Sequence, residues 1–320
     1  MIHVTRKIIL SSLALGLILI FQAPDGCFPS TQAVSSSDSG PGSKMLTFDF
    51  NGIPIKYTDE GSGRPMIFLH GFGASSYSWR YLVGHFSKEY RTIAIDMKGF
   101  GLSGKPDDNR YSARDQALMV KSFIEKNALH DVILAGNSFG GAVSILTALE
   151  FSGPHSPISK MILIDSAGGK QVIPEFIAAM RTPLLNWLLL YIVPPQANVR
   201  AILQKVFFDR TKISEEEVQL YASYIRLPGA RRALISTARQ ILPPDLDSLI
   251  QRYSEINIPV LVLWGEHDNV VPLSIGKMLA SRMSNAKLIV LPGCGHAPQE
   301  ECPEQTIKAI SDFLLDTQGS

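Results

Sequence analysis

Six short apolar runs recur along the chain, at residues 66–69, 92–95, 132–135, 161–164, 260–263 and 288–291, each bounded by polar or turn-forming residues. Runs this short and this uniformly apolar predict strands buried on both faces. Between most of them lie stretches with apolar positions at helical spacing, at residues 112–129, 139–151, 273–283 and 303–315. Strands alternating with helices predict a mostly parallel sheet with right-handed crossovers, an α/β class. Ahead of this series, residues 45–50 and 53–57 alternate apolar and polar around Asn51-Gly52. Both turn residues tolerate positive φ, so an antiparallel hairpin is expected.

One interval breaks the rhythm. Residues 169–253 contain helical segments and prolines but no strand-like run, which predicts a helical insertion between a first core part at 45–168 and a second at 254–320. The most apolar piece of that interval, residues 184–193 (LLNWLLLYIV), is bounded by Pro183 and by Pro194-Pro195. It is too short to cross a bilayer. A buried cap helix is expected there, with a wall of a substrate pocket or a lipid-facing patch as the alternatives. No internal repeat is visible.

The N-terminus changes the picture of where the protein works. Arg6 and Lys7 precede an apolar run at 8–21 and then a polar, Pro-containing stretch, the layout of an export signal. Cleavage after Thr31-Gln32-Ala33 would remove residues 1–33, leave a neutral chain and place a polar linker, 34–44, ahead of the folded part. Lipid attachment at Cys27 is the alternative. The expected location is therefore exported: periplasmic, secreted or envelope-anchored. Cys294 and Cys302 are expected to be two buried free thiols, with a bridge the less favoured reading. The formal charge of +1 on 320 residues gives no reason to expect nucleic acid as a partner. A small-molecule substrate, with peripheral lipid contact, is expected instead.

Gly136-Asn137-Ser138-Phe139-Gly140-Gly141 follows the run at 132–135 directly and opens a helical segment. A serine in a sharp strand-to-helix turn is lifted clear of the sheet, and the helix N-terminus behind it favours developing negative charge. Its hydroxyl needs a base whose pKa is near 7. Of seven histidines, His296 in Gly293-Cys294-Gly295-His296 lies just beyond the last strand and is the best candidate. The base needs a carboxylate to hold its tautomer. Asp268 follows the next-to-last strand, with Glu266 and Asp165 as rivals, and His267 is read as structural. The backbone N–H groups of Phe139 and of Phe72, in His70-Gly71-Phe72-Gly73, are the expected oxyanion donors. A G-x-G-x-x-G spacing at Gly99-Phe100-Gly101-Leu102-Ser103-Gly104 leads into Lys105-Pro106-Asp107-Asp108, a loop rather than a helix, so no dinucleotide site is expected. No metal-ligand spacing stands out.

Through HGFG, DMKGFGLSG, GNSFGG, WGEHD and GCGHAPQEECPE, in that order over about residues 45–320, the sequence resembles the α/β-hydrolase superfamily, in its branch of esterases, lipases and carbon–carbon bond hydrolases. The resemblance implies that the insertion caps the active site and that no metal or organic cofactor is needed. Serine at 138 separates the chain from the haloalkane dehalogenase and epoxide hydrolase branches, which carry aspartate there. Asn137 resembles the carbon–carbon bond hydrolases that open ring-cleavage products. Those typically carry Trp after the histidine, where this chain has Ala297. On that departure the expected reaction is hydrolysis of a carboxylic ester with an apolar acyl group. Carbon–carbon cleavage of a ring-cleavage-type diketone and ligand sensing by a non-turnover binding protein are the alternatives.

Overall fold

The computed structural model describes residues 44–316 apart from Pro154. The expected export signal at 1–33, Cys27 within it, and residues 34–43 of the expected linker lie outside the described residues. Eight strands form one sheet: β1 (Leu46–Phe50), β2 (Ile53–Glu60), β3 (Pro65–Leu69), β4 (Arg91–Ile95), β5 (Val132–Asn137), β6 (Ile158–Ile164), β7 (Val260–Gly265) and β8 (Ala286–Leu291). Their spatial order is β1-β2-β4-β3-β5-β6-β7-β8. β1, β2 and β4 pair antiparallel, and every other neighbour pairs parallel. The hairpin turn is the expected one, with φ of 54° at Asn51 and 81° at Gly52.

Helices cover both faces. On one side α2 (Ala113–Lys126), α3 (Phe139–Glu150) and α10 (Leu273–Arg282) bury Val120, Phe123, Val143, Ile145 and Leu279 against the sheet. On the other, α1 (Arg80–Phe86) and α12 (Pro303–Asp316) bury Leu82, Val83, Phe86, Ile310 and Phe313. Each such side chain contributes roughly 2 kcal/mol of transfer free energy. Two sides of helix explain why β3, β5 and β7 have no exposed residue and read as plain apolar runs.

Between β6 and β7 the described residues hold no strand. They form α4 (Glu175–Arg181), α5 (Leu185–Trp187), α6 (Pro195–Val206), α7 (Glu215–Arg226), α8 (Ala230–Arg239) and α9 (Leu246–Arg252). Pro195 sits in the first turn of α6, and a Ser214–Glu217 capping box starts α7. The apolar piece between Pro183 and Pro194 departs from expectation. It is a single short turn, α5, followed by one π-turn (Leu188–Ile192). Asn186 and Leu190 are its buried side chains, while Leu184 is 78%, Trp187 50% and Ile192 56% exposed. A segment apolar at almost every position has more greasy surface than one turn can turn inward.

Candidate active site

The turn after β5 is strained. Ser138 has φ 53° and ψ −117°, a conformation that L-residues rarely adopt. The backbone crosses so closely here that a Cβ on Gly136 would lie 2.3 Å from the Gly140 carbonyl oxygen, and one on Gly140 would lie 2.1 Å from that of Leu69. Both positions therefore need glycine. Ser138 N donates to Ile164 O at the end of β6, and Ala167 N donates back to Ser138 O, which fixes the turn between two strand ends.

His296 is brought to this point from the far side of the sheet. Its Nδ1 lies 2.8 Å from Asp268 Oδ2, and both side chains are almost fully buried. The other carboxylate oxygen of Asp268 accepts from Val270 N at 2.7 Å and Val271 N at 3.0 Å. An acceptor so fixed demands the proton on Nδ1, which leaves Nε2 free to act as base. His296 N donates to Val206 O at the end of α6, and Asn137 Nδ2 donates to His296 O. Asn137, next to Ser138, thus ties the histidine loop to β5.

Ser138, His296, Phe72 and Phe139 line one cavity of about 170 Å³, walled on the far side by Ile177 and Met180 of α4 and Leu203 of α6. Asp268 stands behind His296, so the structure brings all five expected residues together. The Gly71 backbone abuts the nucleophile: a Cβ there would lie 3.3 Å from Ser138 Cβ. Phe72, the next residue, lines the same cavity as the serine. His267 stacks on Phe208, with ring centroids 3.8 Å apart, and does not line the cavity.

The rival carboxylates separate cleanly. Glu266 is half exposed and accepts from Gly293 N. Asp165, at the end of β6, is fully buried, and its Oδ1 accepts from Gly265 N at 2.9 Å. One oxygen of Asp165, one of Asp268 and a ring nitrogen of His296 lie within 4.8 Å of one another. Burial, and next the charge of Asp268, hold the Asp165 carboxyl well above the usual carboxylate range. Such a cluster has the spacing of a cation site, but Asp268 is already committed to three N–H donors, from His296, Val270 and Val271.

Two further groups have no signature in the sequence pattern. Glu301, buried, accepts from Gly295 N at 2.7 Å and from Asp209 N at 2.6 Å, fastening the histidine loop to the insertion. His70 is buried in one neutral tautomer: its Nε2 accepts from Met97 N, its Nδ1 faces Gly71 O, and burial lowers its pKa. Cys294 and Cys302 are joined in a disulfide with Cα atoms 6.2 Å apart. The expectation of two free thiols is thereby corrected, because the turn leading from β8 into α11 (Pro298–Glu301) folds back on itself and returns the second cysteine to the first.

Residues 66–309 match the family model described as the alpha/beta hydrolase family. The chain belongs to the alpha/beta hydrolase family. Among curated members, it is 29% identical to a 2-hydroxy-6-oxo-2,4-heptadienoate hydrolase from Pseudomonas putida, over 82% of this chain and 93% of the relative. It is 30% identical to a 2-hydroxymuconate semialdehyde hydrolase from a Pseudomonas species, over 84% of this chain and 93% of the relative. Among solved structures, a meta-cleavage product hydrolase from Pseudomonas fluorescens, complexed with acetates, superposes with a TM-score of 0.71 at 27% identity, covering 83% of this chain and 96% of that one.

These relatives overturn the expected ester reaction. That expectation rested on Ala297, a single residue beside the histidine, whereas the two curated relatives above, matched over more than four-fifths of this chain, are named as hydrolases of a 2-hydroxy-6-oxo-heptadienoate and a 2-hydroxymuconate semialdehyde, and the solved structure as a meta-cleavage product hydrolase. Ala297 packs in a buried cluster with Val199 and Leu203 of α6. It also lines the cavity beside His296.

Proposed function

We propose that this alpha/beta hydrolase cleaves a carbon–carbon bond beside a ketone in a ring-cleavage-type diketone, with Ser138 as nucleophile, His296 as base, Asp268 as its orienting carboxylate and the Phe72 and Phe139 amides as oxyanion donors. The observation that carries this reading is the lining of one largely apolar cavity by both Ser138 and an Asp268-oriented His296. The resemblance to ring-cleavage hydrolases supplies the bond type.

His296 Nε2 takes the Ser138 proton as Oγ attacks the ketone carbon, and the two amides bind the resulting oxyanion. When the tetrahedral intermediate collapses, the carbon–carbon bond breaks. Its electron pair passes through the conjugated double bond to the far carbonyl as a dienolate, which the His296 imidazolium protonates. A simple alkyl carbanion would be too poor a leaving group, so the second, conjugated carbonyl is a chemical requirement. Water, deprotonated by His296, then releases the acid from Ser138. The six insertion helices are read as a cap that excludes solvent during these steps. The Cys294–Cys302 bridge supports a working place in an oxidising compartment, as the basic and apolar N-terminal pattern also does.

The test is turnover of a ring-cleavage diketone by the native chain and by Ser138→Ala. Loss of about three orders of magnitude or more in kcat is expected from removing a nucleophile, and a loss below about tenfold refutes the role of Ser138.

A further inference from the structure

Every charge that the cavity presents is negative or neutral. Among its lining residues there is no lysine or arginine; the only carboxylate is Glu300, and the only imidazole is His296. Glu300 is itself answered by the guanidinium of Arg80, which is spoken for twice. It pairs with Glu300 Oε2 at 2.8 Å and with Glu217 of α7; both carboxylate side chains are buried and that of Arg80 is mostly so. Tyr221 adds its hydroxyl to Glu300 Oε2 at 2.8 Å. Two carboxylates thus face one cation. Burial pushes the Glu300 carboxyl up, but even with a proton on Glu300 the cluster is only neutral, because Arg80 still answers to Glu217.

The polar side chains around the cavity are also largely committed. Asn137 Nδ2 donates to Ile164 O and His296 O, and Tyr253 donates its hydroxyl to Gly168 O at 2.8 Å. Gln171 is the exception: its Oε1 is buried without a partner among the described residues, and the residue lines the cavity. The rest of the wall, including Phe176, Met180 and Ile225, is apolar.

We propose that the substrate is a neutral diketone with an apolar group on each flank, whose enol hydroxyl is received by Gln171 and which carries no carboxylate. The inference rests on the carbon–carbon reading and narrows it. The named substrates of the relatives include a heptadienoate and a nonadienedioate, which are anions. An anion entering this cavity gives up its hydration and meets no counter-charge, whereas a ketone or enol gives up little. The chemistry does not need the acid, since the far ketone alone accepts the electron pair of the broken bond. Hydrolysis adds one water, turns one carbonyl carbon into a carboxylic acid and leaves a neutral enone.

Two compounds of equal shape decide it: 2-hydroxy-6-oxo-6-phenylhexa-2,4-dienoate, the compound named for one relative, and its neutral counterpart, with a methyl group in place of the carboxylate. Binding to the full-length Ser138→Ala chain is measured by calorimetry, and turnover is measured with the native chain. The neutral compound should bind at least about 100-fold more tightly and be cleaved with a kcat/KM higher by a similar factor. Gln171→Arg should narrow that ratio by tenfold or more by supplying the missing cation. Equal or preferred binding and cleavage of the dienoate overturns the inference and leaves carbon–carbon hydrolysis intact. A binding preference for the neutral compound without cleavage of either supports the neutral site but overturns the reaction assigned to it.

Discussion

The disulfide that brackets His296 offers the most quantitative test of this structure. Cys294 and Cys302 are eight positions apart, and the bridge encloses the whole turn that carries His296. Cross-linking a loop of about nine residues removes entropy from the unfolded chain worth roughly 2.6 kcal/mol at 25 °C. With a urea slope of about 3 kcal/mol/M, the unfolding midpoint should fall by about 0.9 M when the bridge is absent. Both cysteines are buried, so reductant must be applied to unfolded chain, which is then refolded with and without it and melted in urea. The variants Cys294→Ala, Cys302→Ala and the double variant complete a cycle. Either single change removes the whole cross-link, so the double variant should lose little more than the worse single one. Turnover of the reduced chain at low temperature should persist, because Gly295 N and His296 N keep their bonds to Glu301 and Val206. An unchanged midpoint on reduction, or strictly additive losses, would refute the bridge.

Asp165 predicts an inverted pH dependence. Its pKa is raised in the folded chain, so above the unfolded value of 3.8 the native state holds a proton that the unfolded state has lost. Stability therefore falls as pH rises from about 4 towards the folded pKa. Asp165→Asn should be more stable than the native chain at pH 7, with the gap closing towards pH 4 in denaturant melts, and a gap that stays constant would show Asp165 to be ionised. Glu301→Gln should cost about 1–3 kcal/mol, since one of its two N–H donors then faces an amide nitrogen. It should also reduce kcat/KM by loosening the His296 turn, and a variant with native melting temperature and native turnover would show that the Glu301 contacts do not matter.

How far the sequence carries depends on whether a feature is local. The parallel strands are legible because burial on both faces makes them plain apolar runs, and the elbow at Ser138 because its glycines answer to backbone crossing within a few residues. Trp79, Leu82, Val83 and Phe86 show helical spacing, yet α1 goes unassigned in the sequence reading, since a 3-10 turn at its start leaves only seven residues of regular helix. Glu300 and Glu301 are chemically identical neighbours with different fates, one paired to Arg80 and one to the histidine loop. Nothing in their spacing distinguishes them, because the partners arrive from 220 residues away in one case and from the insertion in the other. The cysteine bridge is hidden for the same reason: a separation of eight residues fits a loop that returns or one that does not. The nature of the bond cleaved is less local still. Triad geometry is common to several reactions, and the walls that select among them come from α4 to α9, where helical period gives no account of which side chains face inward.

The fastening of the histidine turn to the insertion, through Val206 O and through Glu301 to Asp209, sets a limit on how this enzyme can diversify. Many lids are mechanically independent of the groups that perform the chemistry, so they can lengthen, shorten or swing without penalty. Here the end of α6 is a splint for His296, the proposed base. Remodelling that end to admit a larger molecule would disturb proton transfer for every substrate at once, whereas exchanges on the inner face of α4 or α8 leave the splint alone. New specificities in this lineage should therefore accumulate on one half of the roof, while the other half stays fixed by the demands of catalysis.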